Sequence, residues 1–533
     1  MEAPLLQSRG TDHGRKEGND DDNKKFDSSV LGDFGNESRT LWKIAGPAIF
    51  TSISQYSLGA LTQTFTGFVG ELELAAVSVE NSVVAGLAFG VMLGMGSALE
   101  TLCGQAYGAG QIRMLGIYMQ RSWVILLTTA CLLVPVYIWS PPILNFFGET
   151  SEISNAAGEF AIWMLPQLFA YALNFPIQKF LQAQSKVMVM AWISAVVLVL
   201  HTFFSWLLIL KLGWGLVGAA LVLNASWCII VVAQLGYIFI TGSDGAWNGF
   251  SWLAFSDLWG FVKLSLASAV MLCLEFWYLM VLVVITGRLP NPLIPVDAIS
   301  ICMNLNGWDA MIAIGFNAAI SVRVSNELGA GNARAAKVSV VVVSATSVAI
   351  GVISHRLFQS PSLRNPELAG EIETVLVLWA AATLRISGGD GELERRKRRE
   401  RMRLWRAATA STIEKDRSGI QEERRPLYRL QIRLFLPKDA KTFVLTCVAI
   451  GAGWQSLVAY INIGCYYIVG LPAGILLGFT FGFGVEGIWT GMIAGIVLQT
   501  IILVVITAIT DWESEAALAE GRVKKWGGSS GRH

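Results

Sequence analysis

Long apolar runs separated by short polar stretches recur along most of the chain. Runs of about 18 to 28 residues are long enough for an α-helix to cross a hydrocarbon layer of about 30 Å. They lack the strict alternation of barrel strands, which favours helices over a transmembrane barrel. The pattern predicts eleven spans: 41–66, 74–99, 118–139, 156–178, 187–210, 216–240, 259–286, 296–320, 337–354, 445–479 and 485–510. Because 445–479 is too long for one straight helix, Pro472 within it predicts a kink.

Two pairs of short strings repeat at matching places in two sets of spans. GAGQIR at 108–113 recurs as GAGNAR at 329–334, and GWGLVG at 213–218 recurs as GFGVEG at 482–487. Repeats that lie six spans apart have the same orientation in the membrane, which indicates a parallel repeat about an axis along the membrane normal. We predict an all-α polytopic membrane protein of two six-helix bundles with a cleft between them, an architecture typical of transporters.

The pattern changes between residues 354 and 445. A short apolar run, VLVLWAAATL at 375–384, is followed by ERRKRRERMR at 394–403. A single Arg at the centre of a span costs about 2.5–3.5 kcal/mol on insertion scales, so this basic block cannot cross the membrane. We therefore expect the tenth helix to be disrupted. For the anomalous basic insert at 385–440, an error in the coding sequence is favoured over a genuine regulatory loop.

Composition and loop charge support the spans and set their orientation. Charged residues make up 15% of the chain, against about a quarter in soluble proteins. The loops after the second, fourth and eighth spans carry Lys or Arg, whereas those after the first and third carry Glu, so both termini are expected in the cytoplasm. The predicted organisation is a disordered cytoplasmic tail at 1–40, an N-terminal lobe at 41–241, an inter-lobe loop at 242–258, a C-terminal lobe at 259–511 and a second cytoplasmic tail at 512–533.

The stretch MLCLEFWYLM at 271–280 places one carboxylate, Glu275, inside an otherwise apolar span. Burial in a low dielectric disfavours the ionised form of a carboxylate. Such a group can take a proton from an acidic compartment and release it to a near-neutral one, as an exchanger requires. An intramembrane acid is a functional candidate by default, and a structural acid bonded to a neighbouring helix is the alternative.

Further polar residues within the spans are candidate site residues. Asp309 in the eighth span is a second acid inside an apolar run. One interpretation is that it shares the proton or contacts substrate, and the alternative is that it makes a hydrogen bond that packs two helices together. Tyr278 follows Glu275 by three residues on roughly the same helix face, so it is either a hydrogen-bond partner of that carboxylate or a packing aromatic. The residues expected to line a substrate cavity are Gln55, Tyr56, Tyr278, Asn304 and Asn306.

The N-terminal half carries weaker candidates. No Asp or Glu lies deep in the first span, so proton coupling is expected in the C-terminal lobe. Glu80 with Asn81 in the second span are further candidates, and Glu100 near its end is expected to have a structural role close to the cytoplasmic interface. His201 in the fifth span is expected to be a core histidine, with a proton relay as the alternative.

Four motifs resemble the plant branch of the multidrug and toxic compound extrusion (MATE) transporters: ETLCGQAYGAG at 100–110, QRSW at 120–123, SVRVSNELGAGN at 321–332 and AIGAGWQ at 449–455. The resemblance covers about residues 40–353 and 446–527. It implies twelve helices in two lobes of six, and export of organic solutes coupled to inward proton or sodium movement. Glu275 matches the glutamate of the family's seventh helix. In plants, the resemblance implies a proton antiporter of the vacuolar membrane or the plasma membrane, with the vacuolar membrane preferred.

We therefore predict a secondary active transporter that exports organic solutes, such as secondary metabolites and xenobiotics, by antiport with protons. Its expected partners are a small organic substrate, protons and the lipid bilayer, without nucleic acid, and it is expected to be a monomer. No cofactor or metal is expected, because the seven cysteines contain no C-x-x-C spacing.

Three other functions give different expectations. A passive anion channel or facilitator would use the same cavity without depending on a proton gradient or on Glu275. A membrane-embedded enzyme is not expected, because the chain contains neither HExxH nor GxSxG and only four histidines. A flippase for lipid-linked precursors would need a strongly cationic cleft, and the spans contain few Lys or Arg.

Overall fold

The computed structural model is helical throughout its regular elements, and no β-strand occurs among the residues that it describes. The expected disruption of the tenth helix falls at 360–445, outside the described residues. The described residues are 19–256, 258–286, 288–289, 293–359, 446 and 448–526.

The N-terminal lobe is built from nine helices within residues 19–241. A π-helical turn, Glu80–Val84, joins α2 to α3 as one span, and a second, Trp206–Lys211, extends α8. A bend of 52° separates α6 from α7, where Pro166 at the start of α7 cannot donate a backbone hydrogen bond. The helices are α1 (Asn19–Gly67), α2 (Glu71–Val79), α3 (Ala85–Gly108), α4 (Ile112–Ile138), α5 (Ser140–Phe146), α6 (Ser151–Trp163), α7 (Leu165–Ala183), α8 (Val187–Ser205) and α9 (Gly215–Thr241).

The C-terminal lobe follows a loop that contains two short 3₁₀ turns, Gly242–Gly245 and Trp252–Phe255. Two π-helical segments, Ile463–Gly470 and Leu476–Thr480, flank α14 and join it to α13 as one span. The helices are α10 (Leu258–Thr286), α11 (Leu293–Gly329), α12 (Ala333–Gln359), α13 (Gln455–Asn462), α14 (Leu471–Ile475), α15 (Gly484–Ile509) and α16 (Trp512–Trp526).

The long run at 445–479 is interrupted by a turn. Residues 448–452 are helical, and α13 begins at Gln455. Gly453 between them has a φ of 85°, a left-handed conformation that favours glycine. Pro472 lies inside the continuous α13–α14 span, just after the π-helical segment Ile463–Gly470, and the wider π-helical turns on either side of α14 accommodate it. The break therefore falls at Gly453.

Seven helical segments in the described part of the chain are long and apolar enough to cross a membrane, or eight if the bent α6–α7 pair counts as one span. The spans expected at 41–66, 296–320 and 337–354 lie within α1, α11 and α12. These helices pack against one another, with α1 and α3 against α11 between the lobes and α11 against α12 within the C-terminal lobe. The prediction of a polytopic helical membrane protein is confirmed.

The N-terminal segment differs from the expected disordered tail, because α1 already begins at Asn19. Glu37 explains how its later part is held. The Glu37 carboxylate accepts hydrogen bonds from Arg323 at 2.9 and 2.8 Å and from Ser339 at 2.6 Å. Residues 19–40 thus extend the first helix, and Glu37 attaches that extension to the C-terminal lobe.

The two lobes contact each other closely at one end of the bundle. We call it the inner end; it holds the loops 109–111, 184–186 and 330–332 and is predicted to face the cytoplasm. A Cβ added to Gly108 would meet the carbonyl oxygen of Asn326, and one added to Gly329 would meet that of Gln105. Such small residues let α3 and α11 approach backbone to backbone.

Candidate functional site

Glu275 lies in the middle of α10, partly buried. Its Oε2 atom is buried and has no hydrogen-bond partner among the described residues. A charged carboxylate in such a place is costly unless a proton or another ligand neutralises it. The position therefore suits a group that alternates between two ligands.

Two side chains from the α13–α14 span donate hydrogen bonds to the backbone of α10 in the turn just before Glu275. The Asn462 amide donates to the carbonyl of Met271 at 3.2 Å, and the Tyr467 hydroxyl donates to the carbonyl of Leu274 at 3.0 Å. Met271 is four residues before Glu275, so its carbonyl is also the α-helical acceptor of the Glu275 N–H. These bonds hold the helical turn that presents the carboxylate.

A buried hydrogen-bond network extends from Asn462 through α15. The Gln499 amide donates to Asn462 Oδ1 at 2.6 Å, and the Tyr466 hydroxyl donates to Gln499 Oε1 at 2.5 Å. Asn462 and Gln499 are 0% exposed and Tyr466 is 1% exposed. We call Asn462, Tyr466 and Gln499 the C-lobe network. None of the three was predicted from the sequence, although each is a polar residue inside an apolar span, the same signal that identifies Glu275.

Tyr278 packs against this network and is fully buried. Its ring stacks on that of Tyr466, with centroids 4.5 Å apart and planes 3° apart. Its hydroxyl donates to the carbonyl of Met492 at 3.3 Å, so that bond goes to α15 instead of to Glu275. In this conformation, Tyr278 is a packing residue beside the site, consistent with the alternative considered from the sequence.

The remaining predicted site residues lie on α1 and α11. The Gln178 amide donates to Gln55 Oε1 at 3.0 Å within the N-terminal lobe, and Gln55 Nε2 is buried without a partner among the described residues. Tyr56 reaches across to the C-terminal lobe, because a Cβ added to Gly307 would meet the Tyr56 hydroxyl at 2.5 Å. Three predicted residues lie on α11, namely Asn304, Asn306 and Asp309. Their side chains are outside the described part of the structure.

A cavity of about 570 Å³ lies between α3 and α4 of the N-terminal lobe and α10 of the C-terminal lobe. Its lining is apolar apart from Thr128 and Thr129. It includes Leu274 and Trp277, which neighbour Glu275 along α10, but not Glu275 itself. The cavity is therefore an apolar space beside the carboxylate, and of the predicted lining residues whose side chains the structure describes, Gln55, Tyr56 and Tyr278, none contributes to it.

A second polar cluster joins the lobes at the inner end. Lys179 Nζ lies 2.7 Å from Glu100 Oε2, and their side chains are only 8% and 1% exposed. Ser321 of α11 donates a hydrogen bond to the other oxygen of Glu100. We call Glu100, Lys179 and Ser321 the inner-end cluster. The structure thus shows a structural role for Glu100, as expected, and adds a buried cation and an inter-lobe contact that the sequence did not indicate.

Neighbouring bonds strengthen the same contact. Thr101 donates to the carbonyl of Ile450 at 2.5 Å, and the Gln455 amide donates to Thr101 at 2.8 Å. The Asn326 amide of α11 donates to the carbonyl of Ala183 at 3.2 Å. In this conformation the lobes are closed against each other at the inner end.

The buried histidine belongs to the N-terminal lobe. His201 Nε2 lies 3.2 Å from the Thr62 hydroxyl, and Nδ1 lies 2.8 Å from the Ser226 hydroxyl. The contacts join α1, α8 and α9, so His201 is a satisfied core residue in this structure.

Comparison with known proteins agrees with this architecture. The MatE family profile matches residues 47–207 and 267–357. Protein DETOXIFICATION 33 of Arabidopsis thaliana is 64% identical over 498 residues, which cover 93% of each chain. Protein DETOXIFICATION 31 of the same organism is 53% identical over 508 residues, which cover 94% of this chain and 88% of that relative.

Solved structures show the same fold. The eukaryotic MATE transporter AtDTX14 superposes with a TM-score of 0.77 at 30% identity, over 92% of this chain and 100% of that one. The Vibrio cholerae MATE transporter VcmN in the bent form gives a TM-score of 0.67 at 15% identity, over 93% of this chain and 99% of that one. The two lobes and the parallel repeat agree with these relatives. The chain therefore belongs to the multidrug and toxic compound extrusion (MATE) family of membrane transporters, in the branch of the DETOXIFICATION proteins.

Proposed function

We propose that this transporter exports small organic solutes by antiport with protons, and that Glu275 is the carboxylate at which the two ligands compete. The observation that carries the proposal is the unpaired Oε2 of Glu275 in the middle of α10. A proton or a cationic or polar group of a substrate would each supply the missing partner. Loading one ligand then expels the other.

Coupling requires that each ligand stabilise a different arrangement of the lobes. The helix that carries Glu275 packs against α3 of the opposite lobe and against α13 of its own lobe. The C-lobe network is bonded to the same turn of α10 through Asn462. A change in the charge of Glu275 therefore alters the packing of α10 both against α3 of the opposite lobe and against the C-lobe network.

The remaining candidates complete the proposed path. We place Asp309, Asn304 and Asn306 on the α11 side of the cleft, with Asp309 sharing the proton, and Gln55 and Tyr56 on the α1 side. Secondary metabolites and xenobiotics are the proposed substrates, and the vacuolar membrane is the proposed location. The protein is proposed to act as a monomer.

The test is uptake of ethidium, a cationic dye, into proteoliposomes with an imposed pH gradient. The native protein is expected to accumulate dye only with the gradient, and Glu275→Gln is expected to abolish that dependence. Glu486→Gln is the matched control, because Glu486 is an exposed acid at the start of α15 in the same lobe. Gradient-independent movement of dye in both native protein and Glu275→Gln would indicate a passive facilitator.

A further inference from the structure

The N-terminal lobe contains a buried carboxylate to which the proposed cycle assigns no role. Glu80 is 1% exposed, and its Oε1 atom has no hydrogen-bond partner among the described residues. It begins the π-helical turn Glu80–Val84 between α2 and α3. Such turns within α-helices are uncommon and frequently occur at functional sites. An ionised carboxylate buried in this way requires a ligand or a proton.

Two phenols are the titratable groups that face Glu80. Tyr137 of α4 and Tyr171 of α7 are 1% and 6% exposed, and both lie within electrostatic reach of the carboxylate. The Gln167 amide donates to the Tyr171 oxygen at 2.8 Å, which leaves the Tyr171 proton for another acceptor. No salt bridge joins Glu80 to a basic residue within the described part of the chain.

Helix α2 leads into the turn, and its two acids, Glu71 and Glu73, lie in its first turn and are not buried. Helix α6 packs against the turn, and its two acids, Glu152 and Glu159, are exposed and so lie away from it. From α1, Gly59 contacts the amide of Asn81, since a Cβ added there would meet Asn81 Nδ2 at 3.1 Å. Of the described acids on the elements around the turn, only Glu80 and Glu100 are buried, and Glu100 of α3 is paired with Lys179 at the inner end.

A row of buried polar side chains connects this position with the inner end. Their spacings of four, three, four and four residues place them on one face of α7, and each is at most 8% exposed. They are Gln167, Tyr171, Asn174, Gln178 and Gln182. Several of their buried polar atoms have no hydrogen-bond partner among the described residues, namely both polar atoms of the Asn174 amide and Oε1 of Gln182. The same is true of both polar atoms of Gln234 on the adjacent α9. Buried polar atoms require partners, and water that carries protons supplies them.

We propose that Glu80 is a second proton-accepting site of this transporter, reached along the polar face of α7 and separate from Glu275. The step is transfer of one proton from hydronium to the Glu80 carboxylate, which gives a neutral carboxyl group and water. A metal cation fits the position poorly, because hard cations take about six or more oxygen ligands. No group of three His, Cys, Asp or Glu residues suited to a metal occurs in the described part of the chain.

The site departs from the expectation that coupling is confined to the C-terminal lobe. That expectation depended on the absence of an acid deep in the first span, and here the acid comes from the second span. The proposal rests on membership of a transporter family and does not require Glu275 to be the coupling site.

The experiment measures protonation directly in the full-length protein in liposomes without substrate. Infrared difference spectra between alkaline and mildly acidic buffer report the carbonyl stretch of each carboxyl group that gains a proton. The native protein is expected to show one band that Glu80→Gln removes and that Glu275→Gln leaves in place. Proton uptake on acidification, followed with a pH indicator, is expected to fall by about one proton per molecule in Glu80→Gln.

Matched variants separate this result from misfolding. Glu159→Gln replaces an exposed acid of the same lobe and is expected to retain the Glu80 band. Glu80→Asp keeps a carboxyl group and Tyr171→Phe removes its phenol neighbour, so both are expected to shift that band without abolishing it. A native spectrum unchanged by Glu80→Gln would overturn the proposal. So would loss of the band on adding sodium at constant pH, because the site would then take a metal cation.

Discussion

Replacing Lys179 with methionine tests whether the inner-end cluster holds the two lobes together. Methionine keeps most of the length and apolar surface of the lysine side chain but removes its charge. Glu100 would then lose the cation 2.7 Å away while remaining 1% exposed in the closed arrangement. When the inner end opens, water reaches Glu100 and relieves that cost. The substitution therefore acts against the closed state.

The magnitude follows from the burial of both partners. Removing one member of a buried ion pair costs about 3–5 kcal/mol, because the other charge is left uncompensated. Since about 1.4 kcal/mol corresponds to a tenfold change in an equilibrium constant, the ratio of closed to open molecules is expected to fall by roughly two to three and a half powers of ten. The hydrogen bond from Ser321 compensates only part of this loss.

The assay is alkylation of a reporter cysteine at the lobe contact. Ser325→Cys places a thiol at a position that is 0% exposed and that faces Gly104 of α3. Among the described residues, the exposed native cysteines are Cys131 and Cys228, and both are replaced by serine. Lys179→Met is expected to accelerate labelling of the reporter by an impermeant maleimide applied from the inner side, in proportion to the open population.

Two controls make the result specific to the buried pair. Lys186→Met removes a lysine that also lies 2.8 Å from a carboxylate, but its partner Asp244 is 82% exposed; exposed pairs contribute at most about 1 kcal/mol. Adding Glu100→Gln to Lys179→Met removes the uncompensated charge and is expected to restore slow labelling. If labelling stays slow in Lys179→Met, or if the double variant labels as fast as the single one, the ion pair does not hold the lobes closed.

Three further outcomes are expected. Asn462→Leu removes two buried intramembrane hydrogen bonds, each worth about 0.6 kcal/mol on average, so a modest fall in the melting temperature in detergent is expected, and an unchanged value would contradict the C-lobe network. Gly108→Leu places a side chain against the Asn326 carbonyl; overpacking of about 1–3 kcal/mol should speed labelling at the reporter, and slow labelling would refute the close approach of α3 and α11. Asp511→Ala removes the side-chain acceptor of the first turn of α16, so faster amide hydrogen exchange is expected in that helix alone, and exchange that does not change would show that the cap is unimportant.

Most of the fold was predictable because each span carries its own signal. A run of apolar residues is a local property, and the repeated GAG strings marked equivalent positions in the two lobes. Gly110 and Gly331 within those strings take φ values of 73° and 76°, so the repeat extends to the backbone. The bend between α6 and α7, the π-helical turns and the helical residues 19–40 depend on packing and on contacts distant in sequence, which local patterns do not contain.

The candidate site was predictable only where a charge stands alone in an apolar run. Glu275 met that condition. Asn462 and Gln499 carry neutral amides, which are common enough in membrane helices to give a weak signal. Their importance lies in pairing with each other and with the Met271 carbonyl, 191 residues before Asn462. Lys179 follows the fourth predicted span, where the sequence indicates only a basic loop, and the structure shows it buried against Glu100.

The extended first helix constrains how the halves of the transporter can move. Its body belongs to the N-terminal lobe, yet Glu37 in its extension at 19–40 is hydrogen-bonded to Arg323 and Ser339 of the opposite lobe. Pro47 lies between Glu37 and the body of the helix. A proline removes one backbone hydrogen bond and weakens the rod at that point. Rotation of one lobe against the other must therefore either bend α1 at Pro47 or break the hydrogen bonds of Glu37. The short helical segment between these two residues thus limits how far the lobes can rotate in each transport cycle.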